Sequence, residues 1–304
     1  MKKKILIVGG TGFIGRHLAK KCLSLNWQVT SISSSIQSKK KTQKNVKYLY
    51  CDISKKKSLY SKIEKKEFDY IVNLGGYVDH KKKVKTYNSH YKGVKNLANF
   101  FLRKNIISFV QMGSSLEYGN LQPPHNEEME TNIKKLKSVY AISKLKATNY
   151  LIELNKKHDF PCTVLRLYLT YGPKQDQNRL IPIIINSCLK NNTFDCSDGK
   201  QFRDFVYIDD LISLIIKVLK NKNSRGQIIN VGSGKMQKIK NVIKKIIKLS
   251  KGGKPNFGKV KLRKDESLRV YPSINKAKKL FNWKIKNDFN YGLKKTIFYY
   301  KNNE

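Results

Sequence analysis

A glycine-rich loop between an apolar run and a helical pattern is the feature of this chain that most limits its possible folds. Residues 4–8 (KILIV) are typical of a buried parallel strand, Gly10-x-Gly12-x-x-Gly15 follows, and a helical pattern continues through Leu25. Glycines at this spacing allow a tight turn and let the backbone approach a pyrophosphate at the helix N-terminus. In a strand–turn–helix context the loop predicts dinucleotide binding.

The pattern of strand and helix continues along the chain. Further strands are predicted at 27–33, 46–52, 68–76, 107–115 and 162–172, and strand-to-helix junctions at 203–210 and 227–234. This alternation predicts an α/β fold, a Rossmann-like doubly wound parallel sheet with a smaller C-terminal α/β substrate domain. We expect the NAD(P)-binding Rossmann domain to contain residues 1–172 plus about 203–232. The substrate domain would contain about 173–202 plus 233–304.

The composition bears on partners and location. The net charge of +42 comes almost entirely from lysines spread along the whole chain, without an aromatic-rich RNA-binding signature. We therefore expect no specific nucleic-acid partner, although weak, salt-sensitive binding to polyanions is expected. No apolar run approaches the length of a membrane span, and five scattered cysteines predict neither a disulfide framework nor a metal site. A cytoplasmic protein is expected.

An acidic residue is missing from the position that usually selects NAD. A carboxylate about 20 residues after the glycine loop normally binds the adenosine ribose. That position falls near Ser33, and no Asp or Glu precedes Asp52. Hydroxyls and cations, which suit a 2′-phosphate, are present instead at Arg16, Ser33, Ser34, Ser35, Lys39, Lys40 and Lys41. NADP(H) is therefore favoured over NAD(H), and NAD held by backbone groups alone is the alternative.

A tyrosine four residues before a lysine is a candidate proton-transfer pair, because residues at i and i+4 share a helix face. In a chain with 17 tyrosines and so many lysines, several such pairs are expected by chance. Spacing alone therefore leaves open which of four pairs acts: Tyr77/Lys81, Tyr91/Lys95, Tyr140/Lys144 or Tyr291/Lys295.

Several motifs in order resemble those of one known family. They are GGTGFIG (9–15), Asp52-Ile53, GSSLEYG (113–119), SVYAISK (138–144), RLYLTYGP (166–173) and RDFVYIDD (203–210). The chain resembles, over essentially its whole length, the extended short-chain dehydrogenase/reductase family. More narrowly, it resembles the NAD-dependent epimerase/dehydratase group that acts on nucleotide sugars.

The resemblance selects one tyrosine and implies roles. In the family the catalytic tyrosine follows a strand-end serine at the spacing that separates Tyr140 from Ser114. Tyr140 would exchange a proton with a sugar oxygen, and Ser114 would hydrogen-bond the same oxygen. Lys144 would lower the pKa of Tyr140 and bind the nicotinamide ribose. The three would be the catalytic residues.

The resemblance also implies binding residues and a nucleotide-sugar substrate. The pyrophosphate would contact Gly9, Gly12, Phe13, Ile14 and Gly15. The adenine would lie between Asp52 and Ile53, and the end of the central strand would present Leu74, Gly75 and Gly76. The sugar nucleotide would contact Arg179, Leu180, Arg203 and Arg263, of which the last two would clamp its diphosphate through their guanidinium groups. A homodimer is expected.

Some positions depart from the family pattern. The asparagine of RxxNVYGP is Leu169, the helix asparagine of NVxGT is His90, and the usual HLAA is NLGG at 73–76. His80 and His90 could shape the sugar pocket, but exposed loop and helix histidines are the expected outcome.

The motif after Ser114 bears on the reaction. The 4,6-dehydratases carry acidic residues where this chain has Ser115 and Leu116, and on a strand Glu117 would point to the opposite face. Dehydration is therefore disfavoured. The second half resembles the CDP-abequose synthase group, which implies NADPH-dependent reduction of a 4-keto-6-deoxy sugar for surface glycans. 4-Epimerisation is the alternative, and a non-enzymatic cofactor-binding or RNA-binding protein is less favoured because the Tyr/Lys pair and its serine are kept.

Overall fold

The computed structural model describes residues 1–36, 41–77, 79, 81–262 and 266–303. Its strands, in chain order, are β1 (Lys4–Val8), β2 (Gln28–Ser33), β3 (Val46–Tyr50), β4 (Tyr70–Asn73), β5 (Ser108–Ser114), β6 (Cys162–Leu167), β7 (Leu169–Tyr171), β8 (Thr193–Cys196), β9 (Phe202–Tyr207), β10 (Gln227–Val231), β11 (Met236–Lys238), β12 (Lys254–Phe257) and β13 (Arg269–Val270). Its α-helices are α1 (Phe13–Ser24), α2 (Lys56–Ile63), α3 (Lys83–Tyr87), α4 (Gly93–Phe101), α5 (Val139–His158), α6 (Leu180–Leu189), α7 (Ile208–Lys220), α8 (Ile239–Ser250), α9 (Asn275–Phe281) and α10 (Phe289–Asn303).

The main sheet confirms the predicted Rossmann-like architecture. Seven parallel strands lie in the order β10-β6-β5-β4-β1-β2-β3, so the order reverses between β1 and β4. Ligands of open parallel sheets bind at such a switch point, outside the carboxyl ends of the strands. The fold therefore puts the glycine loop after β1 at the expected ligand site.

Helices cover both faces of this sheet, because its strands are apolar on both sides. Ile5 and Ile7 of β1 belong to the hydrophobic cluster that includes α1 and α7. Leu6 and Val8 belong to the opposite cluster, which includes α2, α4 and α5. Alternate residues of one strand thus serve two layers of the core.

One predicted strand is divided between two sheets. Residues 162–172 were expected to form a single strand, but the chain leaves the main sheet at Tyr168, and β7 pairs with β9. The amide of Tyr168 donates to the Val231 carbonyl, and its hydroxyl lies 2.8 Å from Nδ1 of His125. Strand β9, expected within the cofactor domain, pairs with β7, β11 and β13 in the smaller sheet.

Two further features concern membrane-spanning helices and cysteines. None of the helices in the described ranges is long and apolar enough to cross a membrane. Cys22, Cys51, Cys162 and Cys188 are buried, as expected for small apolar side chains, and Cys196 is half-buried. Burial raises the pKa of the Cys22 and Cys162 thiols to about 12, so these two stay protonated at neutral pH.

Candidate active site

The glycine loop forms the floor of a cavity at the switch point of the sheet. Gly9 has a φ of +80°, which favours glycine. A Cβ on Gly15 would overlap the Gly9 carbonyl oxygen and lie 2.5 Å from the Cα of Gly10, so α1 can begin here only without a side chain. The cavity has a volume of about 660 Å³. This volume lies within the range typical of small-molecule and cofactor sites, and the close approach of Gly15 to Gly9 leaves backbone exposed at the helix N-terminus, which suits the pyrophosphate of a dinucleotide.

Most of the predicted cofactor-binding residues line this cavity. Arg16, Tyr140 and Lys144 do not: the Arg16 guanidinium turns to the loop after β7 and donates to the Lys174 carbonyl at 2.8 Å. Asp52 is held by a hydrogen bond from the Ser54 amide. The predicted residues that the structure brings to the cavity are Gly9, Gly12, Phe13, Ile14, Gly15, Ser33, Ser34, Asp52, Ile53, Leu74, Gly75 and Gly76.

Part of the lining comes from residues that were not predicted from the sequence. Gln175 and Asp176 reach the cavity from the loop after Gly172-Pro173, while Lys85 and Asn88 reach it from α3 and the turn that follows. The position of Gln175 and Asp176 just before Arg179, which also lines the cavity, could have identified them. No local pattern distinguishes Lys85 from the other lysines.

Ser114, Tyr140 and Lys144 lie together at the carboxyl end of β5. Ser138 caps α5 by accepting from the Ala141 amide at 3.1 Å, which puts Tyr140 in the first turn and Lys144 one turn later. The Lys144 ammonium donates to the Met112 carbonyl at 2.6 Å and lies 5.8 Å from the centre of the Tyr140 ring. Tyr140 is hydrogen-bonded to the Ser114 side chain. The arrangement can pass a proton to an oxygen bound beside Ser114 and Tyr140.

The electrostatics of the pair differ from the expectation. Burial raises the pKa of Tyr140, although the hydrogen bond with Ser114 and the charge of Arg179 act the other way. Burial also lowers the pKa of Lys144 to about 8, against the opposing charge of Glu117. The predicted lowering of the Tyr140 pKa is not seen in this structure, where burial raises that pKa and the Lys144 ammonium donates to a backbone carbonyl.

Glu117 has a different position from the one predicted. Residues Ser115–Tyr118 form a 3₁₀ turn, so the argument from strand alternation was wrong. The Glu117 side chain is fully buried, and its carboxylate accepts from the Ser114 amide (2.8 Å), the Thr148 hydroxyl (2.8 Å) and Nε of Arg166 (2.9 Å). Leu116 is 48% exposed. Glu117 is thus held in a structural network and is not available as a dehydratase acid or base.

His90 corrects a second expectation. It was expected to be exposed but is 5% exposed, and its ring stands edge-on to the Tyr140 ring with centroids 4.9 Å apart. It lies in a π-helical turn, Asn88–Lys92, between α3 and α4. The regular helix α4 therefore begins only at Gly93, after this turn.

The predicted substrate residues are only partly brought together. Arg179 is the N-cap residue of α6 and lines the cavity, and Leu180, the first residue of that helix, is partly exposed. Arg203 lies on β9, where its guanidinium pairs with Glu266 at 2.6 Å and donates to the Phe202 carbonyl. The other predicted positions, Lys39, Lys40, His80 and Arg263, lie outside the described residues.

Known proteins resemble this chain along its length. The profile of the NAD dependent epimerase/dehydratase family matches residues 5–232. A putative UDP-glucose 4-epimerase of Methanocaldococcus jannaschii is 29% identical over 98% of this chain and 99% of its own length. CDP-abequose synthase of Salmonella muenchen is 31% identical over 52% of this chain and 56% of its own length. The structure of a Thermotoga maritima UDP-glucose 4-epimerase superposes with a TM-score of 0.90, at 21% identity over 98% of this chain and 99% of that one.

Proposed function

This chain belongs to the NAD dependent epimerase/dehydratase family, whose enzymes act on nucleotide sugars, and from that premise we propose that it reduces the 4-keto group of a nucleotide-linked 4-keto-6-deoxy sugar with NADPH. One observation supports the proposal most: Ser114 and Tyr140 are hydrogen-bonded to each other, while the neighbouring Glu117 is held by Arg166. The site thus has groups for protonating a carbonyl oxygen, and the acid next to them in sequence is engaged elsewhere.

The residues of the chain supply the proton and the orientation. The pKa of Tyr140 is raised by burial, which keeps the phenol protonated at neutral pH, and a phenol in that state can donate a proton to a carbonyl oxygen that is being reduced. Ser114 would hold that oxygen through a hydrogen bond. Bound NADPH would supply the hydride. The substrate would extend past Arg179, which lines the cavity and whose positive charge acts to lower the pKa of Tyr140.

A 4-epimerase is the second candidate function, favoured by the similarity of 98% of the chain to a putative UDP-glucose 4-epimerase. An epimerase keeps its nicotinamide bound and recycles it, whereas a reductase consumes NADPH and exchanges it at every turnover. The reductase is preferred because Ser33 and Ser34, instead of an acidic residue, line the cavity where the adenosine ribose is expected, which favours NADP(H). The proposal retains the expectation of a cytoplasmic homodimer that makes surface-glycan precursors.

The reaction is tested by offering the purified protein 4-keto-6-deoxy sugars on CDP, UDP, GDP and dTDP together with NADPH. We expect stoichiometric loss of absorbance at the reduced nicotinamide band and formation of a 4-hydroxy product with one nucleotide. If no keto sugar oxidises NADPH, while UDP-hexoses interconvert without added cofactor, the protein is an epimerase.

The cofactor preference gives a second prediction. Because Ser33 and Ser34 line the cavity where NAD-binding Rossmann domains generally have an acidic residue, NADPH should bind at least about tenfold more tightly than NADH. Ser34→Asp should remove this preference by repelling the 2′-phosphate, as measured by titration of the reduced nicotinamide fluorescence. Ser61→Asp makes the same charge change on exposed α2 and should leave both affinities unchanged. Equal binding of the two cofactors by the unmodified protein contradicts the NADP assignment.

A further inference from the structure

Two departures from the family pattern, Gly76 and His90, meet in the structure. The family motif HLAA has alanine where this chain has Gly76, and the helix asparagine of NVxGT is His90. A Cβ built on Gly76 would overlap Cε1 of His90 and lie 2.7 Å from its Nδ1 and 2.9 Å from its Nε2. Because these are the three nearest atoms, the imidazole occupies the space that an alanine side chain at position 76 would need.

His90 contacts both the cofactor-lining loop and the proposed proton donor. The distance between its Nε2 and the Tyr77 carbonyl oxygen is 3.2 Å, which requires Nε2 to be the donor. The Tyr77 amide in turn donates to Oγ of Ser89 at 3.0 Å, so the π-helical turn holds both backbone groups of Tyr77. The His90 ring stands at 89° to the Tyr140 ring, the edge-to-face geometry that aromatic pairs prefer. Interruptions of this π type are frequent at functional sites.

We infer that His90 is a positioning residue that sets the orientation of the Tyr140 ring, and that Gly76 is its steric partner. Tyr140 is held at its hydroxyl by Ser114, and Lys144 lies over its ring. The edge contact of His90 limits the remaining rotation of the ring. The two residues are sterically linked, since a side chain at position 76 would overlap the imidazole.

The steric part of the inference is tested by melting temperature without added cofactor. Gly76→Ala should lower the melting temperature by about 2–6 °C because it overpacks the His90 site. The double variant Gly76→Ala/His90→Asn should recover most of that loss. Gly75→Ala is the matched control, because its Cβ would meet Val8 Cγ1 at 2.8 Å and Asn73 Oδ1 at 3.1 Å, so His90→Asn should not rescue it.

The positioning part is tested by fluorine NMR on protein labelled with 3-fluorotyrosine. The Tyr140 resonance is assigned by its absence in Tyr140→Phe, and His90→Asn should shift it because the neighbouring ring is removed. Turnover rests on the proposed function, whereas the melting temperature and the fluorine signal do not. With a substrate that the wild-type protein reduces, His90→Asn should lower kcat about tenfold with little change in KM.

The outcomes separate the two ideas. If no keto sugar is reduced, the proposed function fails, but rescue of Gly76→Ala and a shifted Tyr140 resonance still support the pairing of His90 with Gly76 and Tyr140. An unchanged melting temperature for Gly76→Ala, a failure of His90→Asn to rescue it, or an unmoved Tyr140 resonance would overturn the inference.

Discussion

Replacing Tyr140 by phenylalanine is expected to lower kcat by about 10²–10⁴-fold while the affinity for NADPH changes by less than about threefold. The substitution removes the one oxygen that would protonate the sugar carbonyl. The rest of the ring stays between Lys144 and His90, so the cavity keeps its shape. Steady-state rates with the nucleotide sugar that the wild-type protein turns over, together with cofactor titration, measure the two quantities separately.

The pair Tyr291/Lys295 is a close control. Lys295 follows Tyr291 by four residues on α10, and its ammonium lies 5.7 Å from the ring centre, nearly the distance found for Lys144 and Tyr140. Tyr291, however, is 47% exposed and lies far in sequence from the glycine loop and Ser114. Tyr291→Phe should therefore leave kcat and stability nearly unchanged. Equal losses in both variants would show that Tyr140 was the wrong choice among the four pairs.

Glu117→Gln is expected to destabilise the protein by about 3–5 kcal/mol, because it leaves the buried Arg166 guanidinium without its counter-charge. The side chains of Glu117 and Arg166 are 0% and 2% exposed. The guanidinium also stacks over Tyr118, 4.5 Å from the ring centre, and has little freedom to find another partner. The change should appear as a lower midpoint of urea unfolding with an unchanged slope.

Two further variants distinguish a broken buried pair from a general effect of lost charge. Glu153→Gln breaks the exposed pair with Lys157 and should leave the urea midpoint unchanged, because exposed pairs contribute little. The double variant Glu117→Gln/Arg166→Met should lower the free energy of unfolding by less than the sum of the two single substitutions, because no unpaired buried charge remains. If the urea midpoint of Glu117→Gln equals that of Glu153→Gln, the buried pair of Glu117 and Arg166 does not contribute the expected stability.

The parts of the site that were predictable are those encoded in short stretches. The conformation of the glycine loop depends on a few neighbouring residues, since Gly15 must lack a side chain for α1 to approach Gly9. The apolar runs predicted the parallel sheet, which is confirmed. The family resemblance, and not helical spacing, selected Ser114, Tyr140 and Lys144, which lie together in the structure.

The wrong expectations concern residues whose partners are distant in the chain. The direction of the Glu117 side chain was predicted from strand alternation. Its partner Arg166 is 49 residues away in the chain, and the turn Ser115–Tyr118 directs the Glu117 side chain into the protein interior. His90 was judged exposed, but Tyr140, on another helix, covers it.

The sequence by itself determined local conformations: most of the runs that form the parallel sheet and the place where the glycine loop turns. These depend on backbone freedom and side-chain periodicity, which act over a few residues. Only the tertiary structure decided which charges are paired, which rings touch and whether Lys144 faces the phenol oxygen or the Met112 carbonyl. Those outcomes depend on how helices seat against the sheet, and a single amino-acid sequence carries no direct signal for distances between residues that packing brings together.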